Sequence, residues 1–120
     1  MRTSTLNELE SFITKDGSSI RELAGTGWTA ARNQSLAEAS VPPSGVTERH
    51  YHPVSEEIYY FTSGSGEMEL DGNRFAVQAG DCVVIPPGTP HQLFAGADVA
   101  LVLLCMCAPA YTDGDTIIIE

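Results

Sequence analysis

Glycine, proline and Asp-Gly pairs close every extended run of this chain within a few residues, so the chain reads as short β-strands almost from end to end. Ser19–Leu23 reads as a short strand, and Asn33–Val41 is stopped by Pro42-Pro43. Thr47–His52 stops at Pro53, and Glu57–Thr62, rich in Tyr and Phe, runs into Ser63-Gly-Ser-Gly66. Glu67–Leu70 and Arg74–Gln78 flank Asp71-Gly72-Asn73, a hairpin signal. Cys82–Ile85, Gln92–Phe94 and Val99–Cys107 follow, the last apolar on both faces. Ser4–Phe12, with Ser and Thr ahead of Leu6 and Leu9, predicts one or two helical turns, and Asp16-Gly17 a turn. Many short strands at close spacing indicate an all-β sandwich or barrel.

The chemistry sits in His50-Tyr51-His52, Glu57 and His91. Side chains two apart on a strand point the same way, so His50 and His52 share a face. A carboxylate follows on the next run, and a third imidazole after the Pro86-Pro87-Gly88 turn. These are all three histidines of the chain. Three imidazoles and one carboxylate suit a first-row divalent ion, with Fe, Mn, Ni, Zn, Co and Cu all open. Four protein ligands on an octahedral ion leave two adjacent positions, an open site of the catalytic kind. A 1,2-diketone, hydroxyketone, enediol or 2-oxo acid would fill both positions.

These residues fall into two longer patterns. Gly45, His50-Tyr51-His52, Glu57 and Gly64 stand in the order and register of the first signature of the cupin family, with six residues between Glu57 and Gly64. Glu56 would put a serine at the glycine position, so Glu57 is the expected ligand. Gly80-Asp-Cys-Val-Val-Ile-Pro86-Pro-Gly88-Thr-Pro-His91 matches the second signature. The chain therefore resembles a small single-domain cupin of the kind described as mannose-6-phosphate-isomerase-like. The Gly45–His50 spacing is one residue short of the usual one, and Ala95 stands where the family usually has asparagine. The resemblance implies a double-stranded β-helix, a jelly-roll barrel, over a single domain spanning residues 1–120. It also implies a metal held by His50, His52, Glu57 and His91.

In a small barrel the inward side chains define the pocket. If His50 and His52 face inward, strand parity turns Glu48 inward as well; if Glu57 does, so do Tyr59 and Phe61. Glu48 is then the expected general base and Tyr59 a possible acid. Glu48 as a solvated strand-end carboxylate, with metal-bound hydroxide as base, is the alternative. Gln34 is expected to contact substrate, although its run offers either parity. Phe61, Leu93 and Trp28 line an apolar part of the pocket or belong to the core.

Six basic residues against sixteen acidic ones give a net charge of −10, which argues against nucleic acid as a partner. It also disfavours a highly phosphorylated substrate unless Arg32, Arg49 or Arg74 lines the site. With no apolar run long enough to span a bilayer and no signal-peptide pattern, the expectation is a cytoplasmic protein. Cys82, Cys105 and Cys107 read as small buried hydrophobes in a reducing compartment. The two-faced apolar run Val99–Cys107 and the apolar tail Ile117-Ile118-Ile119 predict a homodimer, unless the tail strand folds back onto its own subunit. Three functions remain open. They are a metal-dependent isomerase, lyase or dioxygenase on a small polar molecule, a non-catalytic sugar- or ligand-binding module, and a polyketide-cyclase-like accessory protein.

Overall fold

A computed structural model describes all residues, 1–120. A 3-10 turn at Leu6–Glu8 precedes eleven strands. They are β1 (Phe12–Ile13), β2 (Ser19–Ala24), β3 (Ser35–Val41), β4 (His50–Tyr51), β5 (Glu56–Ser63) and β6 (Ser65–Leu70), then β7 (Asn73–Gln78), β8 (Cys82–Ile85), β9 (His91–Ala95), β10 (Leu101–Ala108) and β11 (Ile117–Ile118). A second 3-10 turn, Asp113–Asp115, leads into β11. Two antiparallel sheets face each other, in the orders β1-β2-β3-β10-β5-β8 and β11-β4-β9-β6-β7. This is the expected all-β jelly roll. No helix is long and apolar enough to cross a membrane.

Turn chemistry sets the register. The β6–β7 hairpin closes through Asp71 and Gly72 alone, both at positive φ, with Leu70 paired to Asn73. That is the two-residue turn whose twist matches the strands it joins. The turn before the ligand strand closes from Gly45 N–H to the Pro42 carbonyl, with Ser44 left-handed.

Strand pairing grades the interior from polar to apolar. Across β3, β10 and β5 the inward rows read Ser35–Cys107–Glu57, then Ala37–Cys105–Tyr59, then Ala39–Leu103–Phe61. Val41 and Leu101 close the far end. There Phe61, Met68, Leu101 and Leu103 are fully buried, with Val77, Ile85 and Leu93 around them. The chain thus keeps a solid apolar plug at one end of the barrel and places its polar rows at the other.

Several expectations are corrected. The strand predicted from Thr47 to His52 shrinks to His50–Tyr51, because residues 46–49 bond irregularly to β9 and to the Asp16 carbonyl. Strand parity therefore does not reach Glu48, whose side chain is exposed. Cys82 is exposed rather than buried, since its side chain lies on the outer face of β8, an edge strand. Of the two placements open to the apolar tail, the chain takes the second, Ile117 and Ile118 pairing with Tyr51 and His50 of the same chain, so the expected homodimer rests on the two-faced apolar run Val99–Cys107.

Candidate metal centre

His50 and His91 are directly opposed on β4 and β9, with ring centroids 4.3 Å apart. His52 lies just past β4. There its carbonyl accepts the Gly88 N–H at 2.7 Å, which ties the Pro86-Pro87-Gly88 turn to the ligand strand. The ligand atoms of the three histidines lie within 4.8 Å of one another, and all three rings are buried. Glu57 enters from the opposite sheet, 4 % exposed.

Each ring is held by one nitrogen. His50 Nδ1 lies 2.9 Å from the Glu48 carbonyl, His52 Nδ1 3.0 Å from that of Asp115, and His91 Nδ1 2.9 Å from that of Thr89. A carbonyl oxygen only accepts, so each Nδ1 carries the hydrogen. Every Nε2 is then a bare lone pair aimed inward, the tautomer a metal ligand needs. Glu57 is fixed the same way: the Cys107 thiol donates to its Oε2 at 3.2 Å. Burial, then the charge of Glu57, push the Cys107 thiol far up, so it stays protonated and can donate.

That leaves acceptor facing acceptor. Glu57 Oε1 sits 3.2 Å from His52 Nε2 and 3.5 Å from His91 Nε2, and neither Glu57 Oε1 nor His91 Nε2 has a hydrogen-bond partner. Converging buried lone pairs with no donor between them call for a positive charge. The residues present therefore fit a divalent cation, which His50, His52, His91 and Glu57 would hold. The titration shifts express the same demand. Burial works against the Glu57 carboxylate, but the neighbouring His52 and His91 overcome it and hold it down at about 2. Burial likewise works against His52, and the Glu57 carboxylate outweighs it and raises its pKa. Burial, with His91 alongside, lowers that of His50.

A pH dependence follows for the metal-free protein. The Glu57 pKa falls from 4.5 to about 2 on folding, so its contribution to stability is complete above 4.5 and is lost as pH drops toward 2. Urea midpoints measured across that window should fall, and Glu57→Gln should flatten the slope. An unchanged slope in the variant would show that Glu57 is not the group responsible.

The centre opens into a narrow cavity of about 50 Å³ that is continuous with solvent. Tyr59 and Leu93 line it. The Tyr59 ring meets His91 edge-on at 5.8 Å, and burial followed by the Glu57 charge keeps its phenol protonated well beyond the ordinary range. Phe61 shares the face of Glu57 but lies one row deeper, in the apolar plug rather than on the cavity wall. Gln34 is exposed just ahead of β3, off the cavity, and Trp28 is half-exposed outside it. Glu48 serves the site through its carbonyl, not its carboxylate.

Asp16 takes the place expected of Glu48. Its Oδ1 accepts from Thr14 Oγ1, Ser18 N and Ser18 Oγ, which fixes the carboxylate. Its Oδ2 faces the cavity, 3.9 Å from His50 Nε2. In the sequence Asp16-Gly17 carries only a turn signal, and nothing local marks the second oxygen as directed inward.

Asp115 links the tail to the site. Its carbonyl accepts from His52, and its carboxylate accepts the N–H groups of Val54 and Ser55 at 3.0 and 2.9 Å. Loss of such supporting partners typically costs ten- to a hundredfold in metal affinity. Asp115→Ala keeps that carbonyl but removes the carboxylate that holds it beside His52, and should weaken metal binding by up to about that factor in a chelator competition. Wild-type affinity in the variant would show that the tail merely covers His52.

The sequence pattern of the Cupin domain family matches residues 37–107. An uncharacterized protein of Methanocaldococcus jannaschii is 46% identical over 95% of this chain and 91% of its own length. Polyketide synthase CurC of Streptomyces cyaneus is 32% identical over 65% of this chain and 51% of that protein. Among solved structures, the polyketide cyclase RemF from Streptomyces resistomycificus superposes with a TM-score of 0.84 at 23% identity, covering 100% of this chain and 86% of that one.

Proposed function

This chain belongs to the cupin family, and on that premise we propose that it is a metal-dependent enzyme moving a proton next to a carbonyl of a small oxygen-rich molecule, in the manner of an isomerase or lyase. The supporting observation is the buried set of unopposed lone pairs, His91 Nε2 and Glu57 Oε1, beside His50 and His52, with Glu57 and these two histidines lining a solvent-connected cavity. A purely structural ion needs no such opening. A divalent ion there would supply Lewis acidity to a substrate oxygen.

The protein's own groups divide the remaining work. Asp16 Oδ2, fixed through its partner oxygen, accepts the proton from the carbon beside the carbonyl and returns it to the neighbouring carbon, while the substrate's hydroxyl proton passes to the former carbonyl oxygen. Tyr59, held protonated, donates a hydrogen bond to a substrate oxygen. Leu93, Leu103 and Ala39 exclude water from the inner wall. The mannose-6-phosphate-isomerase-like subgroup gains no support from the cavity, because none of the lining residues is a cation that would hold a phosphate.

The test is α-proton exchange of hydroxyketones and ketoses in D2O, followed by NMR with the protein loaded in turn with zinc, manganese, nickel or ferrous ion. Exchange that depends on metal and drops at least tenfold in Asp16→Asn is expected. No exchange above the protein-free rate with any of these ions would overturn the reading.

A second reading, a polyketide-cyclase-like role, rests on the wall composition: ten of the nineteen lining residues are hydrophobic. The names of CurC and RemF point the same way. It predicts that aromatic polyketide-like ketones bind more tightly than ketoses in the same assay.

A further inference from the structure

The charges around this cavity are one-sided. Asp16, Glu22 and Glu57 line it, and none of the six basic residues does. Arg49 pairs with Glu69 at 2.6 Å on the outside of the five-stranded sheet. Arg74 pairs with Glu67 and lies 3.8 Å over the Phe94 ring. Arg21 reaches the Leu6 carbonyl, on the face of β2 opposite Ile20 and Glu22. Arg2 and Arg32 are exposed. Lys15 neighbours Asp16 in sequence but places its ammonium on the carbonyls of Asp113 and Thr116.

With a divalent ion on the three imidazoles, Glu57 and Asp16 together balance its charge, so the inner cavity is near neutral before any substrate arrives. Glu22 adds a further negative charge on the wall; its Oε1 accepts from the Trp28 indole at 2.6 Å, which holds the carboxylate in place. An anionic substrate would carry a further negative charge into this balanced cavity and meet the fixed Glu22 carboxylate, with no arginine or lysine to offset either. An uncharged one loses nothing, and each of its hydroxyls finds an acceptor.

We propose that this cavity selects an uncharged, hydroxyl-bearing substrate, such as a hydroxyketone, which donates to Asp16 and Glu22, and that it rejects carboxylate and phosphate analogues of the same shape. This rests on the proposed function, whose site it shares, and names the substrate class that site takes.

Hydroxyacetone and pyruvate make a matched pair of probes: the same three-carbon frame and the same two neighbouring oxygens, differing in a hydroxyl donor against a carboxylate. NMR titration of the zinc-loaded protein should show hydroxyacetone binding at least tenfold more tightly, the size of effect two like charges exert a few ångströms apart at an effective dielectric of about 20. Asp16→Asn should bring the two probes within about threefold while keeping its zinc. Glu22→Gln, away from the metal ligands, should shift the ratio in the same direction by less, and carries the test if Asp16→Asn fails to fold. Pyruvate binding as tightly as hydroxyacetone, no binding of hydroxyacetone, or a ratio unchanged in both variants would overturn the assignment. Selectivity without α-proton exchange would overturn only the proposed reaction, and exchange without selectivity only this inference.

Discussion

Replacing His52 with alanine is expected to lower metal affinity by well over a hundredfold, beyond the ten- to hundredfold typical of outer-sphere partners, while the chain still folds. The two halves of that expectation come from different parts of the molecule. His52 Nε2 is one of the lone pairs converging on Glu57, and without it the cation loses one of its donors. The fold, by contrast, rests on the far end, where Phe61, Met68, Leu101 and Leu103 are sealed from solvent without any contribution from the histidines. Competition with a chromophoric chelator reads the first half, and cooperative thermal unfolding followed by circular dichroism reads the second. A variant that keeps its metal would show that His52 is not a ligand. A variant that no longer unfolds cooperatively would show that metal and core are one unit.

The converse substitution is Phe61→Ala. Phe61 is fully buried between Leu103 and the opposite sheet, and truncating such a ring costs about 3–5 kcal/mol through lost transfer energy and a residual cavity. That is a large part of the 5–15 kcal/mol that holds a typical domain together. Urea unfolding of the metal-free protein should show the loss, while metal affinity measured under folding conditions should change little. A loss below about 1 kcal/mol would mean that the plug relaxes around the gap, and that the division between a stabilising end and a chemical end is weaker than the rows of β3, β10 and β5 imply.

Most of this division was legible in the sequence because its signals are local. His50-Tyr51-His52 and the Pro86-Pro87-Gly88 turn before His91 are short-range patterns, and the Asp-Gly pair of the β6–β7 hairpin sets its own backbone. Glu57, Tyr59 and Phe61 share a face because β5 is a long, regular strand paired on both sides, so its parity holds. Parity failed at Glu48 because β4 is only two residues long and the segment before it is bent by tertiary bonds, which leave no mark in composition. Gln34 lies one residue outside β3, and strand ends are where pattern reading is least secure. Asp16 was missed for a different reason. An Asp-Gly turn looks the same whether the second carboxylate oxygen faces water or a metal site, and only the approach of β4, whose His50 is 34 residues further along the chain, decides which. The neutrality of the cavity was partly visible in the net charge of −10, but the removal of every basic side chain to other surfaces is a property of the fold.

The central claim is that His50, His52, His91 and Glu57 hold one divalent ion. It is tested most directly by elemental mass spectrometry on protein purified without an affinity tag, beside His50→Ala prepared in the same way. The account predicts close to one first-row transition ion per chain in the wild type and little in the variant. Protein that carries no metal and takes none up on incubation with iron, manganese, nickel or zinc, or a variant that keeps the wild-type content, would contradict it.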